Sequence, residues 1–244
     1  MRYVTWCSNI SPVRQLQYYV YTYTPISRVY LSVRVQDAAL AATRLSSCIT
    51  DIAAWMSSSR LRLNPSKTVV IWLGSRQQVG KIDVHAVPIL NASVSTVNTA
   101  RDLGVVLDSE LTMSAQVSAV CRSGFFQLRQ LRPVVRSLST DATKTLVQAF
   151  ISNRLDHCNS LLYGITDNLL RRVQAVQNAA ARLITGVRRH EHITPVLKQL
   201  HWLPVRQRGH FKLAVMVFRA AQHHPVWQRT VNSSLPQTAA NCDR

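Results

Sequence analysis

The stretch VQDAALAATRLSSCITDIAAWMSSSRLRLNPSKTVVIWL (35–73) joins a helical pattern to a strand pattern. Between residues 35 and 60 the apolar positions recur at alternating steps of four and three, which places them on one face of an α-helix. These positions are Ala38, Ala42, Leu45, Ile49, Ile52 and Met56. Asn64 and Pro65 then interrupt the pattern, and the β-branched run 68–73 is typical of a strand. The stretch therefore predicts a helix that leads into a strand.

The sequence that follows changes from short strands to helices near residue 110. Strand-like runs at about 82–87 and 103–107, with turn-forming residues between them, predict a small antiparallel hairpin or meander. Helical patterns follow at about 114–137, 141–153, 167–186, 193–200 and 205–222, each after a capping residue or a proline. We expect an α+β, mostly α fold, with a helix and hairpin in 35–110, a helical bundle in 111–222, and a disordered tail in 223–244.

The first 34 residues differ from the rest in composition. They contain four arginines and no acidic residue, and YYVYTYTPISRVYLSV (18–33) is rich in aromatic and β-branched side chains. Such a segment resembles a strand pair or an aggregation-prone run more than a closed module. We interpret 1–34 as an irregular or non-native N-terminal segment.

The charge of the chain is its most unusual bulk property. Twenty-nine Lys and Arg against 11 Asp and Glu give a formal net charge of +18 in 244 residues. Such an excess attracts polyanions, and phosphate backbones are the commonest biological ones. A merely basic, solvated surface is the alternative, and a membrane surface is a weaker rival. The charge favours RNA or DNA as a partner.

The five cysteines stand singly at positions 7, 48, 121, 158 and 242, without the short spacing of a zinc or redox pair. Apolar runs are shorter than the roughly 18 residues of a membrane span, and the N-terminus is too polar for a signal peptide. We therefore expect an intracellular protein, cytoplasmic or nuclear, with reduced thiols.

Five motifs in a fixed order carry a resemblance to a known family. They are DIAAWMSSSRLRLNPSKTVVIWLGS (51–75), ARDLGVVLD (100–108), AFISNRLDHCNSLLYG (149–164), VQNAAARLITG (176–186) and ITPVLKQLHWLPV (193–205). Together they resemble the C-terminal half of reverse transcriptases from non-LTR (LINE) retrotransposons of the CR1-like and jockey-like groups. The resemblance covers roughly residues 29–220.

The resemblance implies a role for each part of the chain. The helix in 35–60 would be the last helix of the polymerase palm, and Lys67 would lie near the incoming nucleotide, where a lysine can protonate the leaving pyrophosphate. A solvated loop residue is the alternative for Lys67. Leu103, Gly104 and Val105 would form the hairpin that positions the primer end. The helices after Asp108 would form the thumb, which grips the template-primer duplex.

The same resemblance points to a missing active site. In this family a Tyr-Ala-Asp-Asp turn supplies carboxylates for two magnesium ions, and it precedes a strand like 29–32. The matching positions here are Tyr23, Thr24, Pro25 and Ile26. Because Pro25 and Ile26 bear no oxygen ligand, we expect a catalytically inactive remnant of an RNA-directed DNA polymerase, with no catalytic residue, no metal and no cofactor. An accessory part of an active polymerase, completed by another chain, is one alternative.

The remaining candidates are arginines at helical intervals, which would contact the nucleic-acid backbone without reading bases. They are Arg122, Arg129, Arg132, Arg136, Arg171, Arg172, Arg182, Arg188 and Arg189. Trp72, Trp202 and Trp227 could stack on bases, although core packing is the expected role of the first two. His190 and His192 are interpreted as loop residues.

Three different roles remain open for a chain of this composition. It could be a helical protein-interaction module with no nucleic-acid role. It could self-associate through apolar surface that the missing parts of a polymerase would otherwise cover. It could also be a translated pseudogene fragment without function.

Overall fold

The computed structural model of the chain describes residues 16–22 and 28–223. The chain divides into two compact units, Met1–Gln116 and Val117–Arg244. The first holds most of the β-structure and the second holds most of the helices. This arrangement confirms the expected α+β, mostly α fold class.

The first unit contains a five-stranded mixed sheet in the order β2-β1-β3-β5-β4. Its strands are β1 (Leu16–Thr22), β2 (Arg28–Val33), β3 (Thr68–Leu73), β4 (Ala86–Ile89) and β5 (Ala92–Val97). β1 pairs antiparallel with both β2 and β3, whereas β3 and β5 are parallel. This sheet is larger than the expected hairpin. It also recruits two strands from the segment interpreted as irregular, where β-branched and aromatic residues favour extended chain.

Helix α1 (Ala38–Ser58) covers one face of this sheet, as the apolar spacing of 35–60 predicts. Its buried residues Leu45, Ile49 and Met56 pack in one cluster with Val70 of β3. Trp72, two residues along the strand, packs with Ala38 at the start of the same helix. Because side chains alternate along a strand, β3 meets α1 through its even-numbered residues.

The opposite face of β3 packs against a separate hairpin. Strands β6 (Thr99–Asp102) and β7 (Val105–Asp108) pair antiparallel, so a small antiparallel hairpin is present as expected. Its arms differ from the expected runs 82–87 and 103–107, because β4 pairs with β5 and Leu103 lies in a turn. Ile71 and Leu73 of β3 share a cluster with Ala100 of β6. The turn places Leu103 at φ 46° and Gly104 at φ 88°, two left-handed residues in succession, as a tight two-residue hairpin turn requires. A very short helix, α2 (Arg76–Val79), lies between β3 and β4.

The second unit is built from helices, which lie close to the predicted ranges. They are α3 (Ser114–Val135), α4 (Thr140–Val147), α5 (Asn153–Asp156), α6 (Asp167–Thr185), α7 (Ile193–Gln199) and α8 (Val205–His223). α4 and α5 are joined by a π-helical segment, Gln148–Ser152, and thus occupy the single helix predicted at 141–153.

Helix α6 lies at the centre of the core of the second unit. Its stripe of Leu169, Val173, Val176 and Ala180 is buried, and Leu183 is half-buried. α6 packs closely against α3 at Gly124. A Cβ added to this glycine would lie only 2.6 Å from Val176 Cγ1, so the contact leaves no room for a larger residue. The helix ends where Gly186 adopts a left-handed conformation, the usual helix stop.

Among residues 16–22 and 28–223, no helix is both long enough and apolar enough to cross a membrane. The predicted tail beyond Gln222 lies almost entirely outside the described residues.

Candidate nucleic-acid interface

Helix α3 separates an apolar face from a basic one. Its buried positions Val117, Cys121, Gly124, Leu128 and Leu131 follow steps of four and three and face the core of the second unit. The arginines fall outside this stripe and are exposed: Arg122, Arg129, Arg132 and, just past the helix end, Arg136. We call these four residues the α3 arginine face.

The spacing within the α3 arginine face is regular. Arg122, Arg129 and Arg136 recur every seven residues, which is two helical turns and about 10 Å along the axis. Helix α3 carries no acidic residue, so no neighbour on the helix surface neutralises this face. A row of uncompensated guanidinium groups suits a phosphate backbone, because Arg presents a fork of donors that matches phosphate oxygens.

Two phenylalanines interrupt the arginine row. Phe125 and Phe126 follow Arg122 by three and four residues and precede Arg129 by the same distances, so both rings lie between these arginines. They are 46% and 57% exposed, which is unusual for rings adjacent to a core helix. Neither ring was predicted from the sequence to be functional; their i+3 and i+4 spacing from Arg122 is the signal that could have identified them.

A second helix contributes to the same surface. Arg172 of α6 donates from Nη2 to Ser118 Oγ of α3 at 3.2 Å. This bond brings the Arg172 guanidinium close to the α3 arginine face. Burial raises the pKa of the Cys121 thiol, whereas the positive charge of Arg172 acts in the opposite direction. Arg171, beside it, is exposed on α6. The structure thus joins Arg172 to the α3 arginine face.

The acidic residues of the second unit make contacts away from this face. Between residues 117 and 223 the sequence has 16 Lys and Arg against four acids. Asp156 accepts from Arg208 at 3.1 Å, and burial raises its pKa although Arg208 and Lys212 counteract the shift. The contacts of the other three are Asp141 with Lys144, Asp167 with Arg206, and Glu191 with the backbone of Arg188.

The other predicted arginines lie at the far end of α6. Arg182 is half-buried and donates from Nη2 to the Glu191 carbonyl at 3.2 Å, so it braces the loop that follows the helix. Arg188 donates its backbone N–H to Glu191 Oε1 in the same loop, and its side chain is exposed, as is that of Arg189. Arg188 and Arg189 thus make this loop a second exposed basic surface, and the hydrogen bond from Arg182 stabilises the loop.

The predicted site residues of the first unit lie on two different elements. Lys67 is exposed at the end of a 3₁₀ turn, Pro65–Lys67, immediately before β3. This turn is capped by Asn64, whose Oδ1 accepts from Ser66 N at 3.0 Å. Leu103 is 75% exposed at the tip of the β6–β7 hairpin.

The hairpin itself is firmly attached to the first unit. Val106 N donates to Gln116 Oε1 at 2.8 Å, and Val105 is buried. The exposed Leu103 and Gly104 therefore project from an anchored strand pair.

The positions matched to the catalytic turn, Tyr23, Thr24, Pro25 and Ile26, lie outside the described residues, as does Trp227. Trp72 is 4% exposed and its Nε1 donates to the Val84 carbonyl at 3.1 Å, in agreement with its expected core role. Trp202 is half-buried against two core clusters. In the part of the chain that the structure describes, no group of three or more His, Cys, Asp and Glu residues could hold a metal ion.

Comparison with known proteins gives a significant similarity. The chain is 26% identical over 207 residues to a probable RNA-directed DNA polymerase from transposon BS of Drosophila melanogaster, across 80% of this chain. The chain spans about a fifth (22%) of the length of that relative. No protein-family model and no solved structure matches the chain significantly. The similarity extends over most of the chain and supports a reverse-transcriptase-related origin for this protein.

Proposed function

We propose that this chain is the palm end and thumb of a LINE-type reverse transcriptase, without polymerase activity, and that it binds the backbone of RNA, DNA or a hybrid duplex. The observation that carries the proposal is the α3 arginine face, a row of exposed arginines interleaved with exposed aromatic rings and free of acids along the helix. Arginines that contact phosphates position a protein on nucleic acid but carry no sequence information. The binding is therefore sequence-independent.

The proposed inactivity rests on the ligands that magnesium requires. A two-metal polymerase site needs carboxylate oxygens, and the matching positions carry Pro25 and Ile26, so this donor set does not fit the ions. Lys67 and the hairpin tip at Leu103, Gly104 and Val105 would serve the nucleotide and the primer end only if another chain supplied the carboxylates. Such an accessory role is the alternative within the same family.

Binding is expected to weaken steeply with salt. The affinity of the full chain for a 20-base-pair hybrid duplex should fall at least 100-fold between 50 and 200 mM KCl. Each phosphate contact releases a counterion and so contributes about 0.9 to the slope of log affinity against log salt. Fluorescence anisotropy with a labelled duplex measures this. A flat dependence on salt, or a clear preference for one sequence, would remove the proposed backbone binding.

Primer extension tests the proposed inactivity separately. The purified chain, with a template-primer, all four deoxynucleotides and Mg²⁺, is expected to add no nucleotide above background. A commercial reverse transcriptase in the same mixture serves as the control. Incorporation that persists after repeated purification and disappears with EDTA would show that the chain has catalytic carboxylates of its own or needs none at Pro25 and Ile26.

A second candidate function is protein interaction. Helix α8 exposes Phe211 (64%), Met216 (53%) and Phe218 (62%), and exposed apolar side chains at this density often mark a contact surface. This surface suits another protein or a second copy of the chain. The salt titration separates the two functions, because apolar association does not weaken with added salt.

A further inference from the structure

A cleft of about 530 Å³ opens in the second unit between the α4–α5 helix and the end of α7. Its volume lies within the range of small-molecule sites, which is roughly 300–1,000 Å³. The side chains that decide its chemistry are Lys144, Gln148, Asn153, Gln199, His201 and Trp202. None of these residues lies on the α3 arginine face, so the cleft is a separate feature of the unit.

Both walls of the cleft contain uncommon backbone geometry. One wall includes the π-helical segment Gln148–Ser152, which buries Ile151 and Ser152 and leaves Gln148 exposed toward the cleft. π-Helical segments are rare and occur often at functional sites. The π turn therefore sets which side chains of this helix line the cleft.

The other wall contains His201, which adopts a left-handed conformation with φ 56°. His201 N donates to the Lys198 carbonyl at 3.0 Å, and Trp202 N donates to the Leu197 carbonyl at 2.8 Å. These two bonds form the standard C-terminal cap of helix α7, in which glycine is the usual residue at the left-handed position. A histidine there costs about 1 kcal/mol or more in backbone strain relative to glycine.

The lining combines three chemical features in one space. Gln148, Asn153 and Gln199 are exposed amides, each of which offers donors and an acceptor. Trp202 provides an indole surface that the core clusters bury only in part. Lys144 provides a cation whose pairing with Asp141, at 3.4 Å, is weak because both side chains are well exposed (50% and 93%).

We propose that this cleft binds an unpaired nucleobase of single-stranded nucleic acid, with its phosphate directed to Lys144. A planar ring can stack on the indole, and its edge can exchange hydrogen bonds with the amides, as unstacked bases do in other complexes. The proposal deepens the proposed function and rests on it in one respect, that backbone binding brings a nucleic-acid strand to the chain. The contacts with the base are made by the cleft alone. A free nucleotide has the same chemistry and is the other source of this ligand.

Two probes separate the cleft from the α3 arginine face. The first is an eight-nucleotide single-stranded RNA with 2-aminopurine at one position, whose fluorescence changes when the base is stacked. The second is a 20-base-pair duplex without unpaired bases, measured by anisotropy. The double variant Gln148→Ala/Gln199→Ala tests the cleft, and Gln207→Ala/Gln222→Ala, which removes two exposed amides of α8, is the matched control.

We expect the cleft variant to lose at least tenfold in affinity for the single-stranded probe and less than twofold for the duplex. The control variant should change neither. Equal affinity of the cleft variant and the wild type for the single-stranded probe, or an equal loss for both probes, overturns the proposal. If the wild type fails to bind the duplex but its single-strand affinity still depends on Gln148 and Gln199, the backbone function fails and the cleft stands.

A second variant changes the lining of the cleft without an expected loss of stability. His201→Gly replaces the residue in the left-handed position by the one that the cap prefers, so its melting temperature should not fall. His201 also lines the cleft, and we expect its imidazole to contact the bound base. The affinity of the variant for the 2-aminopurine probe should therefore fall at least threefold, and unchanged affinity contradicts this contact. The free monophosphate of 2-aminopurine riboside is the last arm: affinity equal to that of the octamer assigns the cleft to a free nucleotide and overturns the strand assignment.

Discussion

Replacing Arg122, Arg129, Arg132 and Arg136 by glutamine is expected to lower the affinity of the chain for a hybrid duplex by about 100-fold or more at 100 mM salt. Each of these arginines is exposed and lies on one face of α3 or directly after it. If each neutralises one phosphate, the slope of log affinity against log salt should also become shallower by about three to four. Anisotropy titrations at four salt concentrations give both quantities.

The control must remove the same charge elsewhere. Arg44, Arg60, Arg76 and Lys81 are exposed residues of the first unit, and their replacement by glutamine lowers the net charge by the same four. This variant should retain the wild-type salt slope within about one and lose less than tenfold in affinity. Equal losses in the two variants would mean that binding follows total charge and that the α3 arginine face has no special role.

Folding is a separate concern for the α3 variant. None of its four positions belongs to the core cluster around Val117 and Val173, and surface substitutions usually change stability by no more than about 0.5 kcal/mol. Removal of like charges from one helix face relieves repulsion, so the melting temperature should stay the same or rise slightly. A large fall would attribute the loss of binding to unfolding.

The helices could be predicted from the sequence because each buries one periodic stripe. The steps of four and three in α1 and α6 depend only on local chain geometry, so the sequence identifies both helices to within a few residues. The turn at Leu103 and Gly104 lies inside a run that the pattern assigned to a strand, and only the family resemblance indicated a hairpin there.

The full sheet could not be predicted in the same way. Strand β5 reads ASVSTV and has no buried residue, so it lacks the alternation that marks a half-buried strand. It pairs antiparallel with the neighbouring strand β4 and parallel with β3, which lies more than 20 residues earlier in the chain. No local pattern reveals the pairing with β3. Long-range pairing therefore sets the place of β5 beside β3 in the sheet, and the same holds for β1 against β3.

The two parts of the candidate site also differ in how far the sequence predicts them. The α3 arginines follow from periodicity and charge, which a sequence displays directly. The cleft depends on a π-helical turn and a left-handed histidine that approach each other across about 50 residues of chain, and on neither of these does residue type give a strong signal. The electrostatic surface could therefore be predicted from the sequence, whereas the concave one could not.

A buried glutamine connects the cleft to the core of the second unit, and its removal should have the largest effect on stability. Gln177 of α6 is 1% exposed, and its Nε2 donates to the Leu203 carbonyl at 2.8 Å. Its Oε1 accepts from Gln174 Nε2 at 2.9 Å, while Gln174 Oε1 accepts from Val205 N. The two glutamines together fasten the turn before α8, directly after Trp202, to helix α6.

Gln177→Ala is expected to destabilise this unit by about 2–4 kcal/mol, because it leaves a cavity and deprives the Leu203 carbonyl of its donor. Urea unfolding followed by circular dichroism measures the change, with Gln207→Ala, an exposed glutamine of α8, as the control that should stay within about 0.5 kcal/mol. Because the turn that Gln177 holds directly follows Trp202, the variant should also bind the 2-aminopurine octamer less tightly at temperatures where it remains folded. A loss of stability without any loss of octamer binding would mean that Trp202 is positioned by its contacts with α7 and the core clusters, and that the glutamine pair stabilises the turn without shaping the ligand site.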